Sequence, residues 1–291
     1  KITNGKIRTQ LGFNTNSSAA ISDCDGNVMF YASSDIVFNS VGDTMENGIL
    51  MINADAGSAG TGKSAMTLVP TPIRPYRYLL FYMNVQDERN TLGLNSFRYA
   101  EIDMLANGGL GTVVFKDSLV GNMHIATCNL DVVKHANGVD FWLVTTPNES
   151  TYHCYLIDSN GLNQYPIVSN ALSQIQSIPL PTSIEEYHHY GNVRFTRDGK
   201  YLLVTGILPS QNSASILRYD FNANTGRLSN PIPLVFTSQM PSKHHSTAIE
   251  ISPNNEIAYF ISKGLIGSTY EQNLWQLNIS TRATHKVSLA I

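Results

Sequence analysis

Charge is scarce in this chain. Only 14% of its 291 residues are Asp, Glu, Lys or Arg, and the net charge is −3. A typical soluble domain carries about a quarter. The Lys and Arg are scattered, with no basic patch and no interleaving with aromatics, which argues against nucleic acid as a partner. Long apolar runs are missing too. None approaches the ~20 residues of a membrane-crossing helix, so no membrane insertion is expected. The chain opens at KITNGKIRTQ with neither an initiator Met nor a signal peptide, which reads as a processed or trimmed start. Cysteine is sparse. Cys24, Cys128 and Cys154 are odd in number and irregularly spaced, which fits neither a disulfide framework nor a zinc pattern. They are expected to be buried as small hydrophobes. Helical periodicity is nearly absent.

What remains is β-rich. Short runs such as NVMFYAS, YRYLLFYMNV, DFWLVTT, TYHCYLID, YLLVTG and IAYFISK either alternate or stay apolar throughout. Turn tokens bound them: CDGN, HANG, DSNG, RDGK, NTG and PNNE. The pattern also repeats. HHYGNVRFTRDGKYLLVTG near residue 190 aligns without a gap on HHSTAIEISPNNEIAYFIS near 245, Phe195 matching Ile251 and Asp198-Gly199 matching Asn254-Asn255. Looser copies begin at AAISDCDGNVMFYAS, SAMTLVPTPIRPYRYLLFYMNV and LDVVKHANGVDFWLVTT. The spacing of about 50 residues is that of four-stranded propeller blades. The expected fold is an all-β propeller with five recognisable blades, a single domain over 1–291, and either a five-bladed wheel or a piece of a seven-bladed one. Strands buried on both faces by neighbouring blades explain the near-continuous apolar runs.

The stretch GSAGTGKS, Gly57 to Ser64, fits the nucleotide-binding pattern G-x-x-x-x-G-K-S letter for letter. That pattern works only when a helix follows and points its N-terminus at the phosphates. Here Pro70, Pro72 and Pro75 follow Lys63 closely, and proline breaks a helix interior. The expectation is a loop of small residues and no nucleotide.

Several phrases together carry a family resemblance: SDCDGNVMFYASSDIVFN, MENG, SAMTLVPTP, RYAEIDMLANGGLGTV, KHANG-x-D-x-W at Lys134 to Trp142, and YLIDSNGLNQYPIVSN. Over most of its length the chain resembles a β-propeller found near the N-terminus of large secreted Bacteroidota surface proteins, associated with type IX secretion and gliding motility. The resemblance implies export, display at the cell surface, and a part in adhesion or recognition. It brings no catalytic residues to map.

The sharpest local feature is a pair of tandem histidines. His188-His189 and His244-His245 hold equivalent places in consecutive repeats, each seven residues before the last apolar residue of an innermost strand. Loops at such places gather near a propeller axis, and neutral imidazole suits a divalent transition metal. These four are the candidate metal ligands, with Glu185, Glu186 and Tyr187 just upstream. Asp23-x-Asp25-Gly26-Asn27 lacks the later ligands of a calcium loop and is expected to be a hairpin turn. His135 and Trp142 are expected in a structural hairpin, and Tyr76, Tyr187, Tyr190 and Tyr270 as candidate aromatic contacts on a binding face. The expected function is a non-enzymatic recognition, adhesion or scaffold module binding protein or glycan at the cell surface. Two alternatives stand beside it: a metal-assisted hydrolase or lactonase-like enzyme with an axial His site, and a subunit of a surface filament or secretion assembly.

Overall fold

The computed structural model describes residues 18–33, 35–50, 66–84, 95–125, 129–147, 151–170, 192–205, 214–236, 245–266 and 269–287. These residues are mostly strand with almost no helix, and the fold is of β-propeller type. Five antiparallel blades follow one another along the described chain. The first is β1 (Ser18–Ser22), β2 (Val28–Ser33), β3 (Ile36–Asn39) and β4 (Thr44–Ile49). The second is β5 (Met66–Pro70), β6 (Arg77–Asn84), β7 (Asn95–Asp103) and β8 (Thr112–Ile125). The third has β9 (Leu130–Lys134), β10 (Phe141–Thr145) and β11 (Thr151–Asp158). Its outer edge is split between β12 (Gly161–Leu162) and β13 (Ile167–Asn170). The fourth is β14 (Val193–Phe195), β15 (Tyr201–Thr205), β16 (Ala214–Asn222) and β17 (Arg227–Phe236). The fifth is β18 (His245–Ile251), β19 (Ile257–Ile266), β20 (Thr269–Asn278) and β21 (Thr284–Val287).

The hairpin between the first two strands uses the same turn in four blades. The amide of Gly26, Gly138, Gly199 or Asn255 donates to the carbonyl three residues earlier. Each of these residues has positive φ: 85°, 74°, 67° and 62°. Glycine and asparagine tolerate that region best, which is why Asp-Gly and Asn-Gly tokens mark the turns. In the first blade the Asp23 carboxylate is consumed by its own turn. It accepts the amides of Asp25 at 3.0 Å and Asn27 at 2.8 Å, and the Asn27 side chain at 3.0 Å. The segment is a hairpin turn, as its sequence implies.

The chain falls into two compact units, one of residues Lys1–Ile125 and Ile157–Gln164, the other of Ala126–Leu156 and Tyr165–Ile291. In the first unit, Phe30, Ala32, Val37 and Met45 of the first blade pack on Leu80, Tyr82, Ala100 and Ile102 of the second. The two blades also join at their outer edges. β4 and β8 form a parallel bridge at Glu46 and Thr112, and Lys116 Nζ donates to the carbonyls of Asn47 and Ile49 at 2.9 and 2.7 Å. In the second unit two clusters repeat the face-to-face logic. Val133, Trp142, Val144 and Tyr152 meet Phe195, Leu202, Tyr219 and Phe221. Leu203, Ile216 and Val235 meet Ile249, Ala258, Phe260 and Leu277. A fully buried Phe or Leu contributes roughly 1.5–3 kcal/mol, so each blade is held by what its neighbour covers.

Cysteine burial departs in part from expectation. Cys154 is buried, and desolvation pushes its thiol up to about 12. Cys24 is exposed, because its tight turn leaves it no strand to face inward from. The expected outcome is that maleimide labels Cys24 in the folded protein within minutes, while Cys154 reacts only in denaturant. Peptide mapping after labelling reads both.

Candidate functional site

In the second unit the first strands of the third, fourth and fifth blades lie side by side: β9 beside β14, and β14 beside β18. The turn hydrogen bonds fix which residues are equivalent. His135 donates its amide to Asp140 at 2.8 Å, Thr196 to Tyr201 at 2.9 Å, and Ser252 to Ile257 at 2.8 Å. Counting back from these marks, Asp131 corresponds to Asn192, and Arg194 corresponds to Glu250.

Three of these residues meet. Asp131 Oδ2 accepts the Phe195 amide at 2.7 Å, and Oδ1 lies 3.7 Å from Arg194 Nη1. Arg194 turns the rest of its guanidinium the other way. Its Nε and Nη2 lie 3.0 and 2.9 Å from Glu250 Oε1. Side-chain exposure climbs along the series, from 19% at Asp131 to 32% at Arg194 and 71% at Glu250. One end of the network is thus enclosed and the other is open to water. Two residues before Arg194, Asn192 Oδ1 is buried with no hydrogen-bond partner among the described residues.

Burial raises the proton affinity of Asp131, to about 6. The Arg194 charge and the amides of Phe195 and Val132 pull against this, and the Glu250 charge adds to it. Desolvation wins because Arg194 stands at 3.7 Å with its better donors committed elsewhere. A carboxyl poised near 6 populates both forms close to neutral pH, which is what proton transfer requires.

The conspicuous His135 and Trp142 do something else. Asn137 donates its amide to His135 Nδ1 at 3.0 Å, so the proton sits on Nε2, 3.2 Å from the Asn224 carbonyl. Trp142 Nε1 donates to the Ala223 carbonyl at 2.9 Å, and the Ala136 amide donates to the same oxygen at 3.1 Å. This hairpin clasps the β16–β17 turn of the next blade. The structural-hairpin expectation is met, and the clasp accounts for the KHANG-x-D-x-W phrase.

His188, His189 and His244 lie outside the described residues, as do Glu185, Glu186, Tyr187, Tyr190, Cys128 and the GSAGTGKS stretch. His245 opens β18 opposite Lys263, and its side chain also lies outside what is described, as does that of Tyr270. Among the described residues no group of three or more His, Cys, Asp and Glu stands together to hold a metal ion. Tyr76 is exposed.

No family model matches the chain, and no curated protein matches it. Solved structures do. A luciferin-regenerating enzyme is 12% identical, with 95% of this chain and 78% of that one covered and a TM-score of 0.49. An endo-1,5-α-L-arabinanase from Thermotoga petrophila is 10% identical, with 95% and 75% covered and a TM-score of 0.44. TolB from Acinetobacter baumannii is 13% identical at a TM-score of 0.37, and the match spans 72% of this chain and only 40% of TolB. At these identities the likeness is one of fold. The expectation of a non-enzymatic adhesion or scaffold module is corrected here, because the similar structures are mostly enzymes, arabinofuranosidases and an oligogalacturonate lyase among them.

Proposed function

We propose that this chain is a hydrolase whose acid–base group is Asp131, with Arg194 beside it as the cationic partner. The observation that carries the reading is the convergence of Asp131, Arg194 and Glu250 from three successive first strands. A strand-borne charge on a propeller blade has no packing need to be there, and a carboxyl at about 6 has a chemical use. Protonated Asp131 would donate to the departing oxygen of a glycoside or ester as its bond to carbon breaks. The carboxylate so formed would take the proton of the attacking water, and the cycle closes with no net change at the protein. Arg194 would oppose negative charge building on the leaving oxygen.

The test is turnover of a panel of polysaccharides, alkyl glycosides and alkyl esters, with the aryl counterparts alongside. Asp131→Asn is expected to slow alkyl substrates by about a hundredfold, the low end of what general acid–base catalysis supplies. It should slow 4-nitrophenyl substrates much less, because nitrophenolate leaves without a proton. Equal losses on both classes, or no turnover of any member by the unmodified chain, overturns the proposal.

A further inference from the structure

Arg194 could pair with Asp131 fully, and it does not. It lies between two carboxylates, one on each neighbouring strand. Glu250 takes Nε and Nη2 together at 3.0 and 2.9 Å, a forked grip on one edge of the guanidinium. Nη1 is left 3.7 Å from Asp131, with a long hydrogen bond of 3.5 Å to the carbonyl of Val193. The planar fork makes this a choice of edge: with Nε and Nη2 on Glu250, Nη1 alone is left to face Asp131.

We propose that Glu250 is a positioning residue that holds Arg194 off Asp131, and so keeps Asp131 from forming the full ion pair that would fix it as a carboxylate. The inference rests on the reading of Asp131 as the acid–base group and deepens it. Glu250 acts on Asp131 in two ways with the same sign. It diverts the cation that would stabilise the ionised form, and its own charge repels that form. The strand hydrogen-bonded to β9 adds no charge, since β10 sets Val144 opposite Asp131. Proton affinity at the enclosed end of the network is thus set from its exposed end, where Glu250 meets solvent. A substrate cation, or a hydroxyl that engages Glu250, would release Arg194 toward Asp131 and drive its proton off. This links occupancy of the open end to proton transfer at the closed one.

The test reads the carboxyl directly. Carbon-13 NMR titration of aspartate-labelled protein, with Asp131→Asn to assign the signal, should place the Asp131 midpoint near 6. Glu250→Gln is expected to lower it by about one unit or more, the effect of an approaching Arg. Arg194→Met is expected to raise it. Glu250 is largely exposed, so its variant should fold, and Glu250→Ala gives a second chance at the same readout. An unchanged or raised midpoint in both Glu250 variants overturns the proposal. The titration needs no substrate. If Asp131→Asn leaves turnover intact while the midpoint moves as expected, the catalytic reading fails and the positioning role stands.

Discussion

Trp142→Ala is expected to lower the folding free energy by about 4 kcal/mol, measured by urea or guanidinium unfolding. The ring is 4% exposed and belongs to the cluster that joins the third and fourth blades. It is also half of a close fit. A Cβ added to Gly226 would fall 2.6 to 2.9 Å from three carbons of the indole. Gly226 has φ of 70°, where a side chain already costs roughly 1–2 kcal/mol. Glycine is there for both reasons, the turn and the ring. Gly226→Ala is therefore expected to cost about 3 kcal/mol, strain and overlap together. In Trp142→Ala the overlap disappears, so the double variant should fall short of the sum by about 1–2 kcal/mol. Trp142→Phe keeps most of the packing and loses the hydrogen bond to Ala223, for about 1 kcal/mol. A Trp142→Ala loss below about 1 kcal/mol would mean that the clasp between these blades is not a main support.

The clasp shows what the sequence made legible and why. Turns depend on local backbone preference, so Asp-Gly, Asn-Gly and their equivalents mark them directly. Blade order follows from the repeats, and the gapless match of Asp198-Gly199 to Asn254-Asn255 is kept in the turns, where Gly199 and Asn255 make the same hydrogen bond. The phrase KHANG-x-D-x-W stood out because several interactions constrain it at once. It was recognisable as a hairpin, but not as a tie to Ala223 and Gly226, which lie more than 80 residues away. Such contacts depend on how one blade lies against the next, and no local signal carries that. The parallel bridge between Glu46 and Thr112 escaped for the same reason.

The candidate site was missed by a different route. Asp131, Arg194 and Glu250 each sit in a first strand with an apolar residue on either side. Singly, each reads as the solvent-facing member of an alternating pattern. Histidine pairs draw the eye because they are rare and adjacent, and three of the four fall outside the described residues. One signal was available. Arg194 and Glu250 are 56 residues apart, at the same position of consecutive repeats, with opposite charge. In a stack of blades, equivalent positions on adjacent first strands are neighbours, so opposite charges at such positions mark a contact in the bare sequence.

Stability against pH separates the catalytic reading of Asp131 from a purely structural one. Asp131 binds its proton more tightly when folded, at about 6, than when unfolded, at about 4. Its protonation therefore favours the folded state. That contribution is complete below about pH 4 and is lost as pH rises through 6. The loss is about 3 kcal/mol across the window, since a pH unit is worth about 1.4 kcal/mol. Asn cannot titrate, but its side-chain oxygen can still accept the Phe195 amide. Asp131→Asn is thus expected to leave stability near pH 4 almost unchanged. At about pH 7.5 it should raise stability by up to about 3 kcal/mol, read from paired unfolding curves at each pH. A structural ion pair gives the opposite sign: if the ionised Asp131 held Arg194 between the blades, removing its charge would lower stability at neutral pH instead. The chain would then be using Asp131 and Arg194 to tie its blades together. If the variant is instead more stable near neutral pH, the chain keeps an ionised Asp131 against its own folding equilibrium, as expected of a residue retained for chemistry.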